Sequence, residues 1–152
     1  MKIRIDIDEN AEESEVIIRC KTPDAEVVKI QQAVLEVLTA ETRLQLTRED
    51  KDYYLLPEDI LFFETMGGKT YAHTGSEVFE TKFRLYELEE SLPRSFIRVS
   101  KSAIVGTKHI YSIAKNITGP SLIQFFGSHK QISVSRQYFR ILQDRLDSGS
   151  RR

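Results

Sequence analysis

Arg136 and Gln137 stand side by side directly after Ser135, where the alternating run Ile132-Ser133-Val134 gives way to a helical pattern. Arginine can grip the two acceptors of guanine, and glutamine the donor–acceptor pair of adenine, so this dipeptide holds both chemistries that read base edges. A helix N-terminus at that place also turns free backbone N–H groups toward phosphate. The plainer reading is an ordinary first-turn surface arginine. Around the pair runs a long acid-free stretch. Positions 91 to 143 hold Arg94, Arg98, Lys101, Lys108, Lys115, Lys130, Arg136 and Arg140, with His109 and His129, and neither Asp nor Glu. Lysines and arginines on loops neutralise phosphates and release counterions, the source of most sequence-independent affinity for DNA.

Charge is segregated along the whole chain. Residues 1–49 carry 7 basic and 11 acidic side chains, residues 50–93 carry 4 and 10, and residues 94–152 carry 11 and 2. A net charge of −1 therefore conceals a strongly polar molecule, and asymmetry of this kind points to a polyanionic partner, nucleic acid first. A solvated basic face is the alternative, but such faces normally mix both signs.

Other chemistries find no support. His73, His109 and His129 lie far apart, without metal-ligand spacing, and Cys20 has no thiolate-favouring neighbours. Gly67-Gly68-Lys69-Thr70 resembles the tail of a phosphate-binding loop, but Phe63 stands where its first glycine would be, and no helical run follows. Carboxylates such as Glu89-Glu90 need only solvation on a helix surface. Neither catalysis nor a cofactor is expected. No apolar run of ~18 residues and no leader-like start is present, which gives the expectation of a cytoplasmic protein. The single Cys20, in Val16-Ile17-Ile18-Arg19-Cys20, is expected to be a small core residue.

The elements that must carry the basic residues are mostly strands. Ile3, Ile5 and Ile7 alternate with polar residues, and a second strand is expected at 15–21 after an acidic turn. Thr22-Pro23 then starts a helix with an apolar stripe of Val27, Ile30, Val34, Leu35 and Leu38, ending near Thr39. Residues 1–41 thus read as a small β–β–α unit. From 42 onward short strands dominate: Leu44–Thr47, Ile60–Phe63, the partner after Gly67-Gly68, Glu77–Thr81, Phe96–Val99, His109–Ile113, and a last hairpin around Gly127-Ser128. Leu85, Leu88 and Leu92 mark a short helix before Pro93. Ser135 is placed to cap a helix at 136–147 that buries Tyr138, Ile141, Leu142 and Leu146. Residues 148–152 read as a disordered tail. The fold class is mostly β with short helices, α+β overall. No helix-turn-helix pattern is visible, so any DNA reading must come from loops of a β scaffold.

These residues have a recognisable order. Asp59-Ile60-Leu61-Phe62-Phe63-Glu64, Leu85-Tyr86-Glu87-Leu88, Phe96-Ile97-Arg98-Val99-Ser100-Lys101-Ser102 with Ile104-Val105, and Ile132-Ser133-Val134-Ser135-Arg136 together resemble the LytTR-type DNA-binding domain, over about residues 42–147. The resemblance implies a compact fold of short sheets whose loops enter successive major grooves of duplex DNA, in a transcription regulator that is often dimeric on repeated half-sites. Carried over by position, the contacts would come from Lys69 and Thr70, from Gly106 to Lys108, and from Arg136. Arg98, Lys101, Ser102, Gln137 and Arg140 complete the expected DNA-binding set. The family often has His at Ser100 and Asn at Gly106; with no side chain at Gly106, the middle contact shifts to Thr107 or Lys108, or is lost. Residues 1–41 are too short for the receiver domain that many relatives carry, and stand-alone members are often restrained by a small membrane protein.

Two readings follow. The first is a sequence-specific regulator of double-stranded DNA that forms a homodimer through residues 1–41. The second is a basic module for RNA or an acidic protein surface, without base readout. RNA readers stack bases on exposed aromatics, whereas Phe125, Phe126, Tyr138 and Phe139 fall largely at positions expected to be buried.

Overall fold

The protein is described here by a computed structural model covering residues 1–39 and 42–150. It divides into two compact units, Met1–Ala40 and Glu41–Arg152.

In the larger unit, β1 (Leu44–Arg48) and β2 (Lys51–Leu55) precede a 3-10 turn at Pro57–Asp59 and the hairpin of β3 (Phe62–Met66) and β4 (Lys69–His73). Then come β5 (Val78–Thr81), α2 (Leu85–Ser91), β6 (Phe96–Ser100), β7 (Ala103–Gly106), a 3-10 turn at Thr107–His109, β8 (Ile110–Ala114), β9 (Ser121–Phe125), β10 (Gln131–Val134) and α3 (Arg136–Ser150). Pairing is antiparallel throughout. Seven strands join in the order β2-β1-β5-β4-β3-β7-β6 and three in the order β10-β9-β8.

The long sheet is covered on both faces, which is why Ile60-Leu61-Phe62-Phe63 is apolar without alternation. Leu61, Phe62, Ile97, Val99 and Val105 pack against Ile123, Phe125, Ile132 and Val134 of the short sheet and Leu142 of α3. On the other face Leu46, Ile60, Phe63, Phe79 and Ile104 meet Leu85 and Leu88 of α2. Each such side chain contributes roughly 1.5–3 kcal/mol by leaving water.

The strand β2 has no counterpart in the sequence reading. Its hairpin with β1 turns through Glu49 and Asp50, both at positive φ (50° and 61°). A turn of that kind normally shows itself by glycine or asparagine, and neither is present. At Gly67 and Gly68 the φ values are 58° and 79°, the conformation that favours glycine.

Several expectations need correction. Helix α3 runs on to Ser150, so the anticipated tail at 148–152 is helical as far as it is described, and residues 151–152 lie outside the described residues. Ser148 is held there by its hydroxyl, which donates to Asp144 O at 2.9 Å. Ile141 is 53% exposed, because the buried seam of α3 centres on Leu142 with Tyr138, Phe139 and Leu146 and leaves residue 141 on its flank.

In the smaller unit the two anticipated strands are absent. Residues 1–24 form no strand, and the only regular element among the described residues of this unit is α1 (Ala25–Thr39). Strands need partners for their N–H and C=O groups, and within residues 1–23 the described main chain makes one internal bond, Ala11 N to Asp8 O at 3.1 Å. Without a sheet there is no core at this point, and Cys20 is exposed rather than buried. The helix also starts later than Thr22-Pro23 suggested. Asp24 caps it, its carboxylate accepting from Val27 N at 2.9 Å. No helix among the described residues is long and apolar enough to cross a membrane.

Candidate nucleic-acid interface

Two main-chain bonds bring three sequence-distant segments to one end of the long sheet. Thr65 N donates to Ser102 O at 2.9 Å, setting the β6–β7 turn against the tip of the β3–β4 hairpin. Ser135 N donates to Val99 O at 2.9 Å, setting the start of α3 against the far end of β6. Lys69 opens β4 across from Met66, and the pairing of Thr70 with Thr81 puts Lys82 at the same level on the next strand. Lys69, Lys82, Lys101, Ser102, Arg136 and Gln137 thus share this end, with Arg140 one turn further along α3, and all seven are exposed. Lys101, Lys82, Arg136, Gln137 and Arg140 have no side-chain partner among the described residues, while Lys69 keeps a loose ion pair with Glu80 at 3.6 Å. Lys82 escaped the sequence reading because it belongs to the acidic segment 50–93.

Two of the anticipated contact residues are otherwise engaged. Arg98 holds the turn from beneath: Nε donates to Ser100 O at 2.8 Å, one Nη to Lys101 O at 2.5 Å, and the other to Glu89 Oε2 at 2.9 Å. Glu89 is therefore an ion-pair partner and not merely solvated. Arg98 positions Lys101 and Ser102 instead of offering its own charge. Thr70 is 7% exposed, facing inward from β4.

Thr107 and Lys108 lie elsewhere. Gly106 pairs with Phe96 at the start of β6, Gly106 N donates to Leu61 O at 2.8 Å, and Thr107 bonds Ser95 O through both its amide and its hydroxyl at 2.8 Å. Those partners belong to the opposite end of β3, β6 and β7. A Cβ on Gly106 would come within 3.2 Å of Ile60 O and 3.3 Å of the Phe96 ring, so the glycine is a packing position. Lys108 is exposed there and Thr107 is tied to the main chain.

The same opposite end carries the clamp between the two sheets. His73 stacks on Phe62 at 4.2 Å and its Nε2 sits 2.8 Å from Glu64 Oε1. Lys130 Nζ donates to Glu77 O at 2.7 Å, and the Ser128 hydroxyl to Gly75 O at 2.9 Å. Burial holds His73 below its ordinary pKa, helped by the Lys130 charge and opposed by Glu64. Burial likewise lowers Lys130, with Glu64 and Glu77 opposing. Contrary to expectation, Phe126 is 59% exposed and meets exposed Tyr111 edge-on at 4.9 Å.

Ser135 marks the helix start through its carbonyl, which accepts from Tyr138 N and Phe139 N at 3.1 and 3.0 Å. Its hydroxyl has no partner among the described residues. Of the first-turn N–H groups of α3, those of Arg136 and Gln137 have no acceptor among the described residues.

The sequence matches the family described as LytTr DNA-binding domain over residues 50–147. An uncharacterised HTH-type transcriptional regulator of Staphylococcus aureus strain NCTC 8325 is 31% identical over 147 residues, 96% of this chain and 98% of that protein. The counterpart in strain RF122 is 33% identical over 150 residues, with the same coverage. These alignments extend well beyond the matched domain into the first forty residues. Despite the relatives' name, no two helices of the described residues adjoin through a short turn; strands separate all three. Among solved structures, the LytTr DNA-binding domain of a Bacillus cereus protein described as a methyl-accepting/DNA response regulator superposes with a TM-score of 0.62 at 27% identity. That match covers 68% of this chain and 98% of the solved one. The chain therefore belongs to the LytTR family of DNA-binding domains.

Proposed function

We propose that this DNA-binding transcription regulator engages duplex DNA with the end of the long sheet where the β3–β4 hairpin, the β6–β7 turn and the α3 N-terminus converge. Arg136 and Gln137 read base edges in a major groove. Lys69, Lys82, Lys101 and Arg140 meet phosphates, and Ser102 adds a neutral donor. Thr107 and Lys108 stay off the duplex, and the middle contact falls to Lys101-Ser102. The observation that supports this reading is the pair of bonds, Thr65 N to Ser102 O and Ser135 N to Val99 O, which bring the loops bearing Lys69, Lys101 and Arg136 to one end of the long sheet. The protein works in the cytoplasm as a homodimer on repeated half-sites, each added reader raising affinity through effective concentration.

Selection of bound duplexes from a random pool, followed by anisotropy titration, tests the function. The preferred duplex is expected to bind at least ~10³ tighter than scrambled competitor at physiological salt. Equal binding of both would leave only a basic module.

A further inference from the structure

Residues 1–8 belong to no helix or strand and are exposed throughout, with Arg4 Nη donating to Asp6 Oδ2 of the same segment at 2.7 Å. Ile3, Ile5 and Ile7 are 94%, 83% and 90% exposed, and Lys2, Arg4, Asp6 and Asp8 alternate with them in sequence, the pattern that would put the two sets on opposite faces of a strand. An unpaired amphipathic segment of this kind is a template for another strand. Charge decides which one.

Folding back within the chain fails on the sign of the charges. The antiparallel register that aligns the apolar faces sets Ile3, Ile5 and Ile7 against Cys20, Ile18 and Val16. It also sets Lys2 against Lys21, Arg4 against Arg19 and Asp8 against Glu15, and like charges directly opposite each other destabilise a pair. A second copy of the same segment fits. Antiparallel and centred on Ile5, it places Lys2 opposite Asp8, Arg4 opposite Asp6, Ile3 opposite Ile7, and Ile5 opposite itself. All four cross-strand charge pairs are then of opposite sign. The segment is complementary to itself, which is the requirement of a two-fold interface.

We infer that residues 1–8 of two copies pair as an antiparallel ribbon with the two-fold axis at Ile5. The ribbon carries its isoleucines on one face. A two-stranded ribbon is marginal alone, and α1 of the same unit supplies apolar surface to cover it: Val28, Val37 and Leu38 are 42%, 76% and 72% exposed. This inference rests on the homodimer of the proposed function and specifies how it forms. The segment Glu13–Lys21 has the same sign symmetry about Ile17, but its Val16-Ile17-Ile18 lacks the one-sided apolar face.

Disulfide trapping in the full chain, with Cys20→Ser throughout, tests the register. Residues directly opposite in an antiparallel pair have Cα atoms roughly 4.5–5.5 Å apart, within disulfide reach. Ile5→Cys is expected to cross-link to itself on oxidation. Ile3→Cys alone is expected not to, since its copies stand four positions apart, about 14 Å along the ribbon at ~3.4 Å per residue, yet it should cross-link when mixed with Ile7→Cys. Charge reversal gives an independent arm. Lys2→Glu/Arg4→Glu and Asp6→Lys/Asp8→Lys should each halve the molar mass to the 17.6 kDa monomer, and their mixture should restore the dimer. Trapping through Ile17→Cys instead of Ile5→Cys, self-linking of Ile3→Cys, or reversal variants that stay dimeric each overturn the inference. A dimer with none of these cross-links leaves the proposed function standing and removes only this register. Absence of duplex preference removes the function whatever the cross-links show.

Discussion

At one end of the long sheet most polar side chains, Lys108 apart, are spent on the protein itself; at the other several cations are left over. Lys130 donates to Glu77 O, Ser128 to Gly75 O, Thr107 to Ser95 O, and His109 bonds Glu58 O, all closing the end where the two sheets are clamped. At the opposite end Lys101, Arg136 and Arg140 have no side-chain partner among the described residues. The contrast is sharpest between two arginines of the same acid-free stretch. Arg98 makes three bonds, two of them to carbonyls of the turn that displays Lys101, while Arg136 makes none. A cation already satisfied contributes shape, and only an unsatisfied one has a charge to offer a phosphate or a base.

The largest effect should come from salt. Four phosphate contacts, from Lys69, Lys82, Lys101 and Arg140, give a slope of log K against log salt near −4, at roughly −0.9 per contact. Affinity should therefore fall about 10²-fold between 50 and 200 mM salt, and a slope flatter than about −1 would dismiss the leftover cations as a DNA surface. Arg136→Ala comes next, costing about 1–3 kcal/mol on the preferred duplex and little on random sequence. Equal losses on both would make Arg136 a backbone anchor.

Arg98→Ala should cost about 1–3 kcal/mol of folding stability in urea titration, because it leaves the turn carbonyls of Ser100 and Lys101 and the Glu89 carboxylate short of a donor. Arg136→Ala should leave the urea midpoint unchanged. If both behaved alike, the contrast between spent and spare arginines would collapse. Lys101→Ala should weaken preferred and random duplex by a similar several-fold factor, whereas Lys108→Ala at the clamped end should change neither beyond about two-fold. A larger loss for Lys108 would put the interface at the wrong end.

The smallest effect concerns His73. Its pKa lies below the ordinary 6.5, chiefly through burial, so the unfolded chain takes up a proton that the folded one refuses. Stability should then decline as pH falls below about 6.5 toward the folded pKa. Urea midpoints at pH 7.5 and 5.5 measure this, and His73→Gln should flatten the dependence whatever it does to the midpoint itself. An unchanged slope would mean that the clamp does not exclude the imidazolium.

Much of the fold was legible because its signals are local. Alternation, apolar runs and turn residues located β1, β3 to β6 and β8 to β10 but not β7, Gly67-Gly68 announced a hairpin, and Leu85, Leu88 and Leu92 before Pro93 marked α2. The ordered motifs from Ile60 to Arg136 pointed to the family. Where the signal was weak or misleading, the reading failed. The β1–β2 hairpin turns on Glu49-Asp50 without glycine, and β2 went unseen. The alternation of residues 3–7 is genuine, but a strand also needs a partner, and none within the described chain takes that place.

The sequence by itself determined the class of the protein: a mostly β, charge-segregated DNA-binding domain with Arg136-Gln137 at a helix start. Composition, period and motif order are carried by neighbouring residues, so no folding is needed to see them. Only the tertiary structure decided which cations form a surface. Thr65 and Ser102, or Val99 and Ser135, are more than thirty residues apart in the chain, and antiparallel pairing and edge hydrogen bonds bring them together. The same long-range packing turned Arg98 inward, buried Thr70, sent Lys108 to the far end and brought in Lys82 from an acidic segment. Net charge adds along the chain, but availability depends on what each side chain meets after folding.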